Sequence, residues 1–217
     1  MEKIACSWSG GKDSCYALMQ MIEGGAELSV LVNMMNENGV ISRSHGIPIS
    51  VLQKQARAMK IPLIAIPTSW ADYEMNFTTT LQHIRKLHGV TSIVFGDIDL
   101  QAHRDWEEKV CAKSGLTARL PLWRQERRLL VKEMLNAGIE TMIVSCNNLL
   151  GEAFLGRIMD EALIVELESK GVDVCGENGE FHTLVINSPL FDDSIGLPAY
   201  KKVKHEDYWF LDWQIDG

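Results

Sequence analysis

The sequence predicts an α/β fold in which a parallel sheet is sandwiched by helices and a smaller C-terminal α+β unit follows. Three observations carry this. Short apolar runs alternate with helical runs through the first half of the chain, as stacked βα units require. All six prolines fall outside the proposed helix interiors. A chain of 217 residues is long enough to bury roughly 70% of its unfolded surface and so to build a full core.

The elements follow in order. Residues 3–8 read as a first strand, and 14–22 as a helix stopped by Gly24-Gly25. Residues 27–34 form a second strand. Ser50 is placed to cap a helix to Lys60 that carries Leu52, Ala56 and Met59 on one face. Residues 63–66, between two prolines, read as a short buried strand. Asp72 opens a long helix that ends near His88-Gly89. A fourth strand spans 92–95, followed by Gly96-Asp97 and a helix over 102–113 stopped by Gly115. After Pro121 the rhythm changes. A helix over 125–137, a strand over 140–146, a helical stretch near 160–170 and a strand over 181–186 follow, and Tyr208, Trp209, Phe210 and Trp213 suit an edge strand. The boundary falls near residue 123, giving a unit 1–123 and a smaller unit 124–217.

Composition narrows the class. With 46% hydrophobic and 23% charged residues, disorder, collagen-like repeats and coiled coil are excluded. A net charge of −8 argues against nucleic-acid binding through a basic face. The longest apolar stretch, 28–35, is broken by Ser29 and Asn33, so no membrane span is expected. The start Met1-Glu2-Lys3-Ile4 lacks a signal-peptide apolar core. Five cysteines form no C-x-x-C pair, against a disulfide framework or a zinc site. A cytoplasmic protein is the expectation. Arg124, Arg127, Arg128 and Lys132 suit a solvated helix face, or else a patch for an acidic substrate, and Lys201-Lys202-Val203-Lys204 is equally open.

Ser9-Gly10-Gly11-Lys12-Asp13-Ser14 stands between the first strand and the first helix. Such a junction aims free backbone N–H groups and the positive end of the helix dipole at one point, which suits phosphate. Gly10 and Gly11 let the backbone approach phosphate oxygens, Ser9 and Ser14 add hydroxyls, and Lys12 adds a cation. Asp13 suits a phosphate site when it holds Mg²⁺. The spacing is neither a Walker A loop nor a dinucleotide fingerprint.

The hexapeptide resembles the pyrophosphate loop of the N-type ATP pyrophosphatases, relatives of GMP, NAD and asparagine synthetases. The resemblance implies an adenine nucleotide α-hydrolase-like, Rossmann-like fold and cleavage of ATP to AMP and pyrophosphate. Further motifs follow in register: Gly96-Asp97-Ile98, Arg104, Glu108, Val110-Cys111, Gly115-Leu116, Pro121-Leu122-Trp123, Leu155-Gly156-Arg157 and residues 175–183, Cys-Gly-Glu-Asn-Gly-Glu-Phe-His-Thr. Across nearly the whole chain the series is similar to the diphthine–ammonia ligase family, which amidates a carboxylate with ATP and ammonia. Two positions depart from the family pattern: Asn178 replaces a glycine and His182 a glutamate.

The resemblance implies these roles. Ser9 to Ser14, the backbone near Met34, Gly96 and Asp97 bind ATP; Asp13 holds Mg²⁺, and Asp97 serves as a second magnesium or ribose contact or as a plain turn residue. Lys12, Asp13, Glu177 and Glu180 are the catalytic candidates. Arg104, Glu108, Glu177, Asn178, Gly179, Glu180, His182 and Thr183 face the acceptor, although Arg104 and Glu108 also fit a surface pair one helical turn apart. His45 could reach the nucleotide or lie on the surface, and Cys175 is a minor thiol candidate. The implied partners are ATP, ammonia and a carboxylate-bearing acceptor, with a homodimer implied by family habit. Alternatives are an ATP- or AMP-binding sensor without turnover, a tRNA-thiolating relative and a cofactor-precursor amidase.

Overall fold

The structure, a computed structural model, describes residues 1–214. Five parallel strands form the first sheet: β1 (Lys3–Ser7), β2 (Glu27–Met35), β3 (Leu63–Pro67), β4 (Ser92–Val94) and β5 (Thr117–Arg119), in the order β3-β2-β1-β4-β5. The order reverses beside β1, where open α/β sheets place their ligand crevice. Helices α1 (Lys12–Glu23), α2 (Ile49–Ala58), α3 (Tyr73–His88) and α4 (Gln101–Ser114) connect the strands. Pro67 is tolerated because β3 is an edge strand.

Two features differ from the sequence reading here. The helix read as capped by Ser50 starts at Ile49, with Pro48 in the N-cap position and no side-chain cap; proline's fixed φ suits the entry to a helix. The three-residue strand β5 has no counterpart in the sequence reading, because three residues carry no periodicity.

The C-terminal part holds α5 (Arg127–Asn136), β6 (Glu140–Asn147), a 3-10 turn at Glu152–Phe154, α6 (Glu161–Ser169), β7 (Phe181–Asn187), β8 (Tyr200–His205) and β9 (Tyr208–Trp213). Its sheet has the order β7-β6-β9-β8 and every pairing is antiparallel. The lysine-rich run 201–204 is the edge strand β8, where exposed lysines discourage pairing with other chains. The cluster Arg127, Arg128 and Lys132 is paired with carboxylates: Arg127 with Asp99 and Asp173, Arg128 with Glu168, Lys132 with Glu161.

One apolar cluster runs from Ile4, Leu18 and Leu52 to Ile143, Phe181 and Leu184, so the face of the first sheet that carries α1 and α2 shares its core with the second sheet. A separate cluster under α3 and α4, with Phe77, Ile93 and Val110, fills the other face. No described helix is long and apolar enough to cross a membrane.

Candidate active site at the phosphate loop

The turn between β1 and α1 is built from both sheets. Gly10 sits at φ +86°, and a Cβ there would lie 2.8 Å from Leu52 Cδ2. Its carbonyl accepts from Val185 N (2.8 Å) and from the amide of Gln55 (3.0 Å). Gln55 is fully buried; its amide also donates to Val185 O (2.7 Å), and its Oε1 accepts from the Trp8 indole (2.8 Å). A Cβ on Gly11 would meet His45 Cε1 at 2.6 Å and Thr183 O at 3.0 Å, so a side chain there would displace the ring or the strand. Ser9 Oγ accepts from Gly11 N (3.2 Å) and pairs with Ser14 Oγ (3.0 Å).

The first turn of α1 carries N–H groups that no helical carbonyl can take. That of Lys12 donates to Thr183 Oγ1 (3.1 Å), which leaves those of Asp13 and Ser14 for a ligand. Gly96, at the end of β4, abuts this turn, for a Cβ there would lie 2.6 Å from Ser14 N.

Loop and first turn open into a cavity of about 880 Å³ lined by Lys12, Asp13, Asp97, Glu177, His182 and an aromatic wing from α3 and α4. The Lys12 ammonium is buried, donates to Asp13 Oδ2 (2.9 Å) and to the Cys175 carbonyl, and lies over the Phe181 ring. Burial opposes its charge, but Asp13, Cys175 and Glu177 outweigh that and hold its pKa above the ordinary lysine range. Burial pushes the Asp13 carboxyl upward against the pull of Lys12, with Asp97 adding to the rise. Glu177 is pushed up to about 7, first by burial and then by Asp13, against Lys12.

Asp13 Oδ1 is buried with no hydrogen-bond partner, an expensive state that a bound cation would relieve. Among the described residues no cluster of three His, Cys, Asp or Glu side chains is set for a metal. Mg²⁺ needs only one or two carboxylates when substrate phosphates supply the rest, so the residues present fit it at Asp13.

His45 and His182 pack with ring centroids 4.7 Å apart and planes tilted by 33°. His45 Nδ1 lies 2.9 Å from Thr183 O; a carbonyl only accepts, so Nδ1 carries the proton and Nε2 is the free acceptor. Burial lowers His45 to about 4, and burial with His45 and Lys12 lowers His182 to about 3. Both rings line the cavity and are neutral at pH 7.

Several expected site residues lie elsewhere. Glu180 is buried and closes its own turn, accepting from Asp173 N (3.2 Å), Asn178 N (3.1 Å) and the Asn178 amide (3.1 Å). Neither Glu180 nor Asn178 lines the cavity. Arg104 and Glu108 also stay outside it; they pair at 2.7 Å on the exposed side of α4, with Arg104 over the Trp123 ring. Thr183 faces the loop and positions it. Asp97 lines the cavity, but it is already engaged: Oδ1 lies 2.7 Å from His103 Nδ1, and Glu107 hydrogen-bonds to it on the other side. The Met34 carbonyl accepts from Arg43 N (3.1 Å), and Met34 lines a neighbouring recess of about 100 Å³ with Asn33, Ser42, Arg43, Ser44 and His45. Burial raises the Cys175 thiol, which donates to Arg127 O (3.2 Å).

The residues missed by the sequence reading include Tyr73, Phe77 and Trp106, which form the aromatic wing, and Glu107 beside them. A signal existed. Val110 and Cys111 mark the inward face of α4, and stepping back by three, four, seven and eight places reaches Glu107 and His103.

A family model described as diphthamide synthase N-terminal domain matches residues 2–118, and one described as diphthamide synthase C-terminal domain matches 126–216. Among curated relatives named diphthine–ammonia ligase, the human protein is 30% identical over 94% of this chain and 85% of its own length. The zebrafish protein is 27% identical over 92% and 88%. A relative of the same name from Schizosaccharomyces pombe is 25% identical over 91% of this chain, which spans 36% of that longer protein.

Proposed function

The chain belongs to the diphthamide synthase family, and on that premise we propose that it is an ATP-dependent ligase that adenylates a carboxylate and amidates it with ammonia. The observation that carries this reading is the convergence of the α1 first turn, Lys12, the orphaned Asp13 Oδ1 and Glu177 in one cavity. The first unit supplies the ATP site, and the second, from about residue 124 on (its last three residues lie outside the described ones), closes over it.

In this reading the β- and γ-phosphates of ATP lie against Ser9 to Ser14. The N–H groups of Asp13 and Ser14 hydrogen-bond their oxygens, the Ser9 and Ser14 hydroxyls turn to them from one another and from Gly11 O (3.1 Å), and Lys12 neutralises charge as pyrophosphate leaves. Mg²⁺ bound at Asp13 Oδ1 would neutralise further phosphate charge and lower that carboxyl's pKa. A carboxylate oxygen of the acceptor attacks the α-phosphorus and the bond to pyrophosphate breaks. Ammonia then attacks the acyl carbon and AMP departs. Glu177, titrating near neutrality, is suited to take a proton from the nucleophile. Glu180 serves as the clamp of that turn. The five free, buried cysteines support a reducing, cytoplasmic setting.

The test is product analysis. Purified protein is incubated with Mg-ATP, ammonium and an acceptor-containing extract beside the Asp13→Asn variant, and the nucleotides are separated. AMP with pyrophosphate, dependent on the extract and lost in the variant, is the expected outcome. ADP would refute the adenylation reading, and full turnover in the variant would remove Asp13 from the mechanism.

A further inference from the structure

Beyond the phosphate loop, the cavity extends under α3 and α4 into a recess walled by Tyr73, Phe77, Phe95 and Trp106. The rings pack on one another, with centroids 5.3 Å apart for Phe77 and Trp106, 5.6 Å for Tyr73 and Trp106, and 6.3 Å for Phe77 and Phe95. Glu107 also lines this recess. It is only 4% exposed, and its Oε2 has no hydrogen-bond partner. The carboxyl of Glu107 lies beside that of Asp97, which is held in turn by His103 (2.7 Å).

A buried carboxyl with an orphaned oxygen, set among aromatic rings, costs stability unless something binds there. The combination selects the occupant's chemistry. Aromatic faces attract cations, and a carboxyl oxygen accepts N–H. A hard metal ion is poorly served here, since the aromatic walls supply none of the further oxygens or water positions that two carboxyls leave wanting. A small cation carrying N–H groups is served by both features.

We propose that Glu107 and Asp97 hold the ammonium ion that the amidation consumes, against the rings of Phe77 and Trp106. This rests on the ligase reading above. The site lies on the path that reading requires: Gly96, next to Asp97, touches the first turn of α1, and the Asp97 charge is felt by both Asp13 and Glu177. From there the nitrogen has to lose two protons. One passes to Glu177 before attack; the N–C bond then forms, the acyl C–O bond to the phosphate of AMP breaks, and the second proton leaves to solvent as the tetrahedral intermediate collapses.

Thallous ion, close to ammonium in size and a strong anomalous scatterer, is the probe. Crystals of the full chain are soaked in thallous acetate, then back-soaked in ammonium chloride or in tetramethylammonium chloride, which has no N–H. The expected result is an anomalous peak beside Glu107 Oε2, removed by ammonium, retained in tetramethylammonium and absent from Glu107→Met. No peak there, a peak unmoved by ammonium, or displacement by tetramethylammonium alone would each overturn the site, and the displacement arms need no variant to fold. AMP formation without a displaceable ion at Glu107 overturns this site and leaves the ligase reading standing. A displaceable ion with no AMP from any acceptor leaves the cation site and overturns the ligase reading.

Discussion

Replacing Glu107 by Gln should stabilise the protein, and by an amount that grows with pH. Glu107 is 4% exposed, and burial, with Asp97 adding to it, pushes its pKa up to about 11. Between the ordinary 4.5 and that value the folded chain holds a proton that the unfolded chain has released. Stability therefore falls as pH rises through this window, by about 1.4 kcal/mol per pH unit. At a pH of about 7.5 the accumulated cost is roughly 4 kcal/mol. The figure barely depends on the folded pKa, because any value above about 8 gives nearly the same cost at that pH. Gln has the same shape, needs no proton and can donate its amide to Asp97. Urea unfolding of wild type and variant, followed from about pH 4.5 to 8.5, is the assay. The two should coincide near the acid end, and the variant should lead by about 5 kcal/mol at the alkaline end, a rise in Tm of about 10–20 °C. A variant that is less stable at every pH, or a gap that does not change with pH, would show that Glu107 is ionised or solvated in the folded state.

Three further outcomes follow from the loop and its supports. Gln55→Leu should strand the Trp8 indole N–H and remove one of the two donors on Gly10 O, costing about 2–4 kcal/mol in urea unfolding and weakening ATP binding in calorimetry. Gly96→Ala should push backbone against Ser14 N and lower ATP affinity at least tenfold, with a fold intact by circular dichroism. The neutral pair His45 and His182 releases protons on folding at mildly acid pH, so the wild type should lose stability as pH falls from about 6.5 toward 4. His45→Gln with His182→Gln should flatten that loss, and an unchanged pH profile would show the rings to be solvated.

Much of the fold was legible because its signals are local. The alternating runs and glycine stops placed the helices and most strands within a few residues. What escaped was short or charged, such as β5 with three residues and β8 with its lysines, and β8 is defined by pairing with β9 rather than by any apolar pattern of its own. The phosphate loop was legible because its six residues are contiguous. The recess was not, because it depends on which face of α4 turns inward. Arg104 and Glu108 look like a site when read as a spacing of four, but Glu107 lies on the face that Val110 and Cys111 turn inward, and the largely exposed His103 reaches the cavity rim. Similarly, the carboxylates Glu177 and Glu180 look equivalent in sequence. Glu180 is consumed by its own turn while Glu177 reaches the cavity, and only the turn's hydrogen bonds separate them.

The placement of β7 explains why a chain with a self-contained βα sheet keeps a second one. A glycine-rich turn is conformationally soft, and ordering it when ATP arrives would cost binding energy. Here the order is imposed in advance from the other sheet. Val185 N holds Gly10 O, Thr183 Oγ1 holds Lys12 N, and Thr183 O fixes His45 against Gly11. The Cys175 carbonyl takes the Lys12 ammonium from the turn that precedes β7. Donors fixed before the reaction begins are what stabilisation of a departing pyrophosphate requires. The same strand carries His182 between Phe181, under the Lys12 ammonium, and Thr183 at the loop. Whatever His182 contacts on the cavity side therefore lies one residue from the hydrogen bonds that set the loop.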